Sequence, residues 1–425
     1  MVQAAVTKTT VSSDSTPTNT RAMAMVTTLF FMWGFLTALN DILIPHLKAI
    51  FDLNYTWVML INSAFFGGYF VFSIPSGWLI EKIGYKKTMV VGLLVMAVGA
   101  LLFVPAANAP SFALFLAALV VLAAGVAALQ VAANPYVTVL GPARTASSRL
   151  NLTQAFNSLG TTIAPAVGGY LILAAQPEGA TKLQEASSVK LPYIGIALAL
   201  TVLALAIAMF NLPKIEATRE FRPMGETDAA ARNLWKQRQL VLGTLAIFLY
   251  VGAEVAIGSF LINYFTQPEI GHMALKAAAR LVSLYWFGAM IGRFIGAAVL
   301  QKLSTRAVLG TVAVVACLLV VTSMLSVGWL AMGTIIAVGL FNSVMFPSIF
   351  SLGVEGLGPL TGKGSGLLVM AIVGGAIVPL AEGALADRIG IHHAFILPAL
   401  CYIYIAYYGY KGSVHKTSLP PLTAS

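Results

Sequence analysis

The chain has 425 residues, of which 59% are hydrophobic and only 9% charged, with a mean hydropathy of +0.87. Soluble domains carry about 25% charged residues, so this composition excludes a soluble globular enzyme. A net charge of +10 would suit a nucleic-acid partner, but the bases are spread along the chain as a membrane topology signal and predict no nucleic-acid binding.

Residues 1–23 are rich in Ser, Thr and Ala, with no apolar core and no cleavage site, and read as a disordered cytoplasmic tail. Twelve apolar runs of roughly 20 residues follow, near 24–47, 57–80, 87–105, 111–140, 150–175, 192–212, 239–266, 277–301, 306–327, 329–354, 364–386 and 394–411. In hydrocarbon only helices and closed barrels satisfy the backbone, and these runs are too long for barrel strands. The ninth and tenth are divided only by Val327, Gly328 and Trp329. A polar stretch, Asn211 to Gln239, splits the segments six and six. The expected organisation is an N-terminal six-helix bundle over 24–212, a cytoplasmic linker over 213–238, a C-terminal bundle over 239–412 and a cytoplasmic tail over 413–425. With the N-terminus inside, eighteen Lys and Arg fall inside and six outside, and Arg293 lies within a segment. The positive-inside rule then puts both termini in the cytoplasm of a bacterial-type inner membrane.

Segment one carries Asp41 in FFMWGFLTALNDILIP, and segment seven carries Glu254 in IFLYVGAEVAIGSFL. A carboxylate at bilayer depth is expensive and persists where it faces a cavity, a partner or a transported ion, so the chain reads as a transporter. Asp41 has no base one turn away on its own segment. Glu254 has a structural alternative, pairing with Arg293 of segment eight, and Arg293 could equally hold Glu355 at the end of segment ten. Glu382, near the end of segment eleven, reads as structural. Amides form a second cluster: Gln130 and Asn134 lie one turn apart in segment four, and Asn151, Gln154, Asn157 and Ser158 share one face of segment five. Buried amides are costly unless paired, and sugar hydroxyls would pair them; amide bonds from helix to helix are the alternative. Asn40 and Asn62 could extend this surface. Trp33, Tyr250, Tyr285, Trp286 and Phe341 are candidate platforms for the apolar face of a pyranose.

The five histidines sit at segment ends or in loops, and Cys317 and Cys401 lie inside apolar runs. No metal set, phosphate-cradling loop or paired nucleophile and base follows from them, so neither an enzyme nor a cofactor is expected. The halves show a weak internal repeat. Gly34 falls on Gly252 with an offset of 218, Gly77 on Gly296 with 219, and Gly160, Pro165 and Gly169 on Gly374, Pro379 and Gly383 with 214.

Between segments two and three runs GWLIEKIGYKK, comprising Gly77, Glu81, Lys82, Gly84, Lys86 and Lys87. It resembles the signature loop of the major facilitator superfamily. A gate latch would use Gly77 for close helix contact, Glu81 to accept from a neighbouring base or helix end, and Gly84 for the tight turn. Degenerate echoes occur at Gly296–Arg306 and at Asp387–Arg388. A narrower resemblance rests on FFMWGFLTALNDILIPHLK, ALQVAANPYVTVLGP, SSRLNLTQAFNSLG and FNSVMFPSIFSLGVEGLG. These are similar to the fucose:proton symporter family. Gln130, YVGAEVAIGSF and the C-terminal AIVGGAIVPLAEGALADRIGIHHAFILPALCYIY bring the chain nearer to its glucose/galactose branch.

The resemblance implies an all-α membrane protein with twelve transmembrane helices in two pseudo-symmetric six-helix bundles, the major facilitator fold. It places the proton-coupling carboxylate at Asp41. Fucose carriers hold a second acid in segment four, where this chain has Gln130, an amide that cannot titrate. Coupling then rests on Asp41 alone, recruits Glu254, or uses sodium. The expected function is proton-coupled import of a hexose such as glucose or galactose by alternating access. The expected sugar contacts are Asn40, Gln130, Asn134, Gln154, Asn157 and Trp286, and the carrier is expected to be a monomer. A sodium-coupled, N-acetylhexosamine or fucose carrier of the same family is the alternative. A drug exporter would have a chiefly apolar pocket, and a sugar sensor would carry a signalling domain, so both rank lower.

Overall fold

The computed structural model describes residues 17–51, 55–108, 111–168, 190–213 and 233–414, with their side chains except at 39–50, 55–63, 165–166, 168 and 276. Among these residues every regular element is helical. The first half consists of α1 (Thr20–Phe51), α2 (Tyr55–Asn108), α3 (Phe112–Val139), α4 (Ala146–Gly168) and α5 (Lys190–Met209). The second consists of α6 (Arg238–Phe265), α7 (Leu275–Val299), α8 (Thr305–Leu325), α9 (Gly328–Asn342), α10 (Met345–Val354), α11 (Thr361–Met370), α12 (Gly374–Ile389), α13 (Ile391–Ala394) and α14 (Ile396–Tyr407).

Ten stretches of the described residues are long and apolar enough to cross a membrane. The twelve predicted segments are recovered from two further observations. The 54 residues of α2 would reach about 81 Å if straight, against a hydrocarbon layer of about 30 Å. The chain instead reverses at Gly84, whose φ of 81° is open to glycine at little cost, so α2 holds segments two and three. The 23 residues of α4 span about 34 Å, enough for one crossing, but its amides lower its hydropathy. Segment five is thus predicted at 150–175, whereas the helix begins four residues earlier, at Ala146.

Segments ten and eleven are broken rather than continuous. Ser343 and Val344 separate α9 from α10, and a 3-10 turn at Ala371–Val373 separates α11 from α12. The short division between segments nine and ten is a turn in which Gly328 takes a φ of 63°.

Within the first half α2 packs on α3 and α5, and α1 on α4; within the second α6 packs on α12 and α14, and α7 on α9. The halves meet chiefly where α2 lies on α11 and α4 lies on α7. Those contacts concentrate on the face that carries the Gly84 turn and the starts of α1 and α11. There the Glu81 carboxylate pairs with Lys363 at 3.0 Å, and a Cβ on Gly77 would fall 2.8 Å from the Gly362 carbonyl oxygen. Close by, Ser365 Oγ donates to the Val131 carbonyl at 2.8 Å and Ser148 Oγ to the Ala297 carbonyl at 2.6 Å. Ser147 Oγ accepts from Thr305 Oγ1 at 2.9 Å and shares a short hydrogen bond with Ser351 Oγ. The two halves are therefore closed against each other on this gate face.

Candidate substrate and coupling site

A cavity of about 200 Å³ lies between the halves, inward of the gate face. Its first-half wall is made by Trp33 and Thr37 of α1, Phe65, Phe66 and Tyr69 of α2, Gln130 of α3, and Gln154, Asn157 and Thr161 of α4. The opposite wall carries Tyr250, Val251 and Glu254 of α6, Arg293 of α7, Phe346 and Pro347 of α10, and Ile372 from the turn that breaks segment eleven. Aromatic faces and a few convergent polar groups in a small chamber suit a small, hydroxyl-rich solute better than a drug-sized one, whose pockets hold about 300–1,000 Å³.

Two of the three amides are anchored by a side-chain hydrogen bond, and Gln130 and Gln154 each keep an unpartnered atom. Gln130 Nε2 donates to the Tyr69 hydroxyl at 2.7 Å, while its Oε1 is buried without a partner. Asn157 Nδ2 donates to the Phe30 carbonyl at 2.9 Å, which ties α4 to α1. Gln154 Nε2 is buried and unpartnered. On the opposite wall, the Glu254 carboxylate and the Tyr250 hydroxyl, one turn apart on α6, are buried and interact with each other, and among the described residues neither side chain is hydrogen-bonded to the first half. Leaving buried amide atoms unpaired costs about 1–3 kcal/mol each, a penalty that a ligand's hydroxyls or a bound ion would relieve.

Arg293 crosses the seam. Its Nη1 donates to Ser158 Oγ, with a long 3.4 Å contact to the Gln154 carbonyl, and the Arg293 carbonyl accepts from Asn151 Nδ2 at 2.6 Å. The guanidinium is also within electrostatic reach of Glu254. Pairing of Arg293 with Glu355 does not occur: Glu355 forms its ion pair with Arg306, at 2.9 Å.

Other expected residues sit elsewhere. Asn134 is fully buried one turn beyond Gln130, with both amide atoms unpartnered, but it does not line the cavity. Trp286 is 46% exposed and lies against Gly258, outside the cavity. Its neighbour Tyr285 faces inward and accepts from Asn342 Nδ2 at 2.8 Å. The backbone of Asn40, Asp41 and Asn62 is helical, but their side chains lie outside the described residues. In the Gly77 to Lys87 loop, Lys82 and Lys87 are exposed, and Lys86 Nζ donates to the Ala208 carbonyl at 2.8 Å, capping the end of α5. Glu382 is buried, and neither carboxylate oxygen has a partner.

Tyr69, Phe65, Thr37, Thr161 and Phe346 line the cavity without having stood out in the sequence. The spacing of Phe65 and Tyr69, four apart on α2 with ring centroids at 5.4 Å, was the available signal.

The model of the Major Facilitator Superfamily matches residues 22–372. The chain is 54% identical over 392 residues to the glucose/galactose transporter of Brucella abortus biovar 1 (strain 9-941), covering 92% of this chain and 94% of the relative. It is 37% identical over 398 residues to the L-fucose-proton symporter of Escherichia coli (strain K12), covering 90% and 91%. The solved structure of the transporter FucP in the outward conformation superposes with a TM-score of 0.82 at 35% identity, over 91% of this chain and 97% of that one. With its helical architecture, its Gly77 to Lys87 loop and these relatives, the chain belongs to the major facilitator superfamily, in the group that includes the glucose/galactose transporters and the L-fucose-proton symporter.

Proposed function

We propose that this protein is a secondary active carrier that imports a hexose, glucose or galactose, together with a proton, by alternating access. The observation that carries this reading is the cavity at the seam. There Gln130 and Gln154 of one half, each with an unpartnered amide atom, line the same chamber as the Glu254 carboxylate and the Tyr250 hydroxyl of the other. A sugar in that position would bridge the halves, and its hydroxyls would satisfy both walls. The similarity to a glucose/galactose transporter and to a fucose-proton symporter supports both the substrate class and the coupling ion.

In this reading the gate face is cytoplasmic, as the distribution of bases predicts, and the described conformation is closed to the cytoplasm. Import requires the bonds on that face to open while the sugar stays bound. Asp41 and Glu254 carry the proton, and Arg293 converts charge into motion. While Glu254 is ionised it draws Arg293 toward α6; once protonated, it leaves the guanidinium to its bonds on α4. Moving one charge down the membrane potential supplies about 2.3 kcal/mol per 100 mV, comparable to the few hydrogen bonds that must break. Gln154 and Asn157 position the sugar on the first half, and Trp33 and Tyr250 offer their ring faces.

Uptake into proteoliposomes tests this reading, with a panel of hexoses, fucose and N-acetylhexosamines, each with and without sodium and with an imposed proton gradient. Glucose or galactose accumulation driven by the proton gradient alone is the expected result. Accumulation that follows sodium, or that prefers another sugar in the panel, replaces the corresponding part of the assignment. Asp41→Asn should abolish uphill accumulation yet keep equilibrium exchange, because the amide mimics the protonated acid. Accumulation at the wild-type rate would remove Asp41 from the coupling path.

A further inference from the structure

A second and larger cavity, of about 980 Å³, opens on the gate face where the two halves adjoin, away from the central chamber. Its first-half wall is built from the opening turns of α1, the α3–α4 turn and the start of α4; Gln301 and Lys302, just past α7, close it from the second half. Among the described residues three cations line it, Arg144, Arg149 and Lys302, and no carboxylate does. They are not equivalent. Arg149 is buried and spends its donors on the carbonyls of Val137, Thr138, Gly141 and Pro142 and on Thr145 Oγ1, closing the end of α3. Arg144 and Lys302 are exposed, and among the described residues neither side chain has a hydrogen bond or an ion pair. The remaining wall includes the apolar Phe31, Leu152 and Phe156, and Leu152 is 38% exposed.

A groove between membrane-spanning helices that combines exposed cations, hydroxyls from Thr18 and Thr20 and apolar side chains matches one kind of occupant. We propose that it seats a single anionic glycerophospholipid, with its phosphate held between Arg144 and Lys302 and an acyl chain lying along Phe31, Leu152 and Phe156. Basic pockets between transmembrane helices are the usual seats of anionic headgroups. Because Arg144 belongs to the first half and Lys302 to the second, the phosphate would bridge them in the gate-closed state. The same lipid would thus add to the closure made by Glu81 with Lys363 and by Ser148 with Ala297. The site does not depend on which solute the carrier moves or on which ion drives it.

Native mass spectrometry of the full-length protein, titrated separately with phosphatidylglycerol, phosphatidylcholine and glycerol-1-phosphate, tests the proposal. Wild type should retain one phosphatidylglycerol more tightly than phosphatidylcholine, and glycerol-1-phosphate should bind far more weakly because it lacks the acyl chain. Removing both charges in Arg144→Gln with Lys302→Gln should weaken phosphatidylglycerol binding about thirtyfold. The charge-preserving pair Arg144→Lys with Lys302→Arg should restore it to near wild type. If the double glutamine variant fails to fold, each single variant should show a loss of about fivefold. Equal phosphatidylglycerol binding by wild type and the neutral variants overturns the proposal. So does glycerol-1-phosphate binding as strong as that of the lipid, which would make this a site for free phosphoryl groups. Binding that emerges only after residues 1–16 are deleted would make the N-terminal tail the occupant and also overturn it.

Discussion

At Gln130 a single side chain shows how the site divides fixing from binding. Its NH2 group donates to the Tyr69 hydroxyl, which anchors the amide at the cavity wall and leaves its oxygen buried and unpaired. A sugar hydroxyl that reaches that oxygen as neighbouring side chains shift supplies its missing partner, and an amide already anchored at its other end lowers the entropic cost of binding. Tyr69→Phe removes the anchor but leaves the amide and the ring in place. Losing one hydrogen bond costs about 0.5–1.5 kcal/mol, so sugar affinity should fall between about twofold and tenfold while the melting temperature shifts little. Calorimetric titration of the purified protein checks this, and unchanged affinity would mean that Gln130 does not contact the substrate. Gln130→Ala should weaken binding further, since the donor and the acceptor are both lost.

Arg293 poses the complementary case, in which one cation serves both halves. A guanidinium has several donors in fixed directions, whereas an ammonium is a point charge. Arg293→Lys therefore keeps the charge beside Glu254 but forfeits the geometry that reaches Ser158 and the Gln154 carbonyl. Equilibrium exchange of sugar should survive in this variant, with uphill accumulation reduced at least tenfold. Glu254→Gln should show the same split. If Arg293→Lys accumulates sugar normally, the link between Glu254 charge and the α4–α7 seam has no role in coupling.

Between elements, the contact of α2 with α11 sets how tightly the gate face closes. The Glu81–Lys363 pair is short, at 3.0 Å, but each side chain is about one-third exposed. An ion pair in that setting is worth less than about 1 kcal/mol. Backbone contact at Gly77 against Gly362 is a harder constraint, because a larger side chain cannot fit without parting the helices. Gly77→Val should therefore impair transport more than Glu81→Gln, and a Glu81→Lys with Lys363→Glu exchange should recover most of the wild-type rate. Initial uptake rates of the three variants, normalised to the amount of folded protein, decide the order. A more severe defect in Glu81→Gln would make the ion pair, not the close approach, the element that closes the gate.

The same scale shows what could be read from the sequence. Twelve segments, the glycine reversal and the polar face of α4 were legible because length, φ > 0 and amide spacing are local properties. The rotation of an apolar helix is not local. Tyr285 and Trp286 are adjacent, about 100° apart around α7, and the few polar residues of that helix do not single out Tyr285 as the inward one; the structure turns Tyr285 in and leaves Trp286 at the surface. Partner choice over long separations was equally hidden. Arg293 bonds to Ser158, 135 positions away, and Arg306, not Arg293, takes Glu355. Tyr69 and Phe65 offered only their four-residue spacing, a weak signal because membrane aromatics are abundant in cores and belts alike.

For the whole molecule, alternating access requires the gate-face contacts to break once in each cycle, and the contact between Ser147 and Ser351 offers a direct way to test that. Ser147 starts α4 in the first half and Ser351 lies in α10 of the second; their hydroxyls are in hydrogen-bond contact, and Thr305 of α8 donates to Ser147 as well. If the halves rock as rigid bodies, these positions must separate whenever the cavity faces the cytoplasm. Ser147→Cys with Ser351→Cys should therefore form a crosslink under mild oxidation that holds the gate face shut. The native Cys317 and Cys401 are both free, and Cys401 is buried within its helix, so neither is expected to compete. Transport should stop on oxidation and return on reduction, while sugar binding from the opposite side persists, because the central cavity is already formed in the closed state. Each single variant should be insensitive to the oxidant. Full transport by a quantitatively crosslinked protein would show that the two halves need not part at α4 and α10, and the rocking mechanism would have to be replaced by one in which this face stays closed.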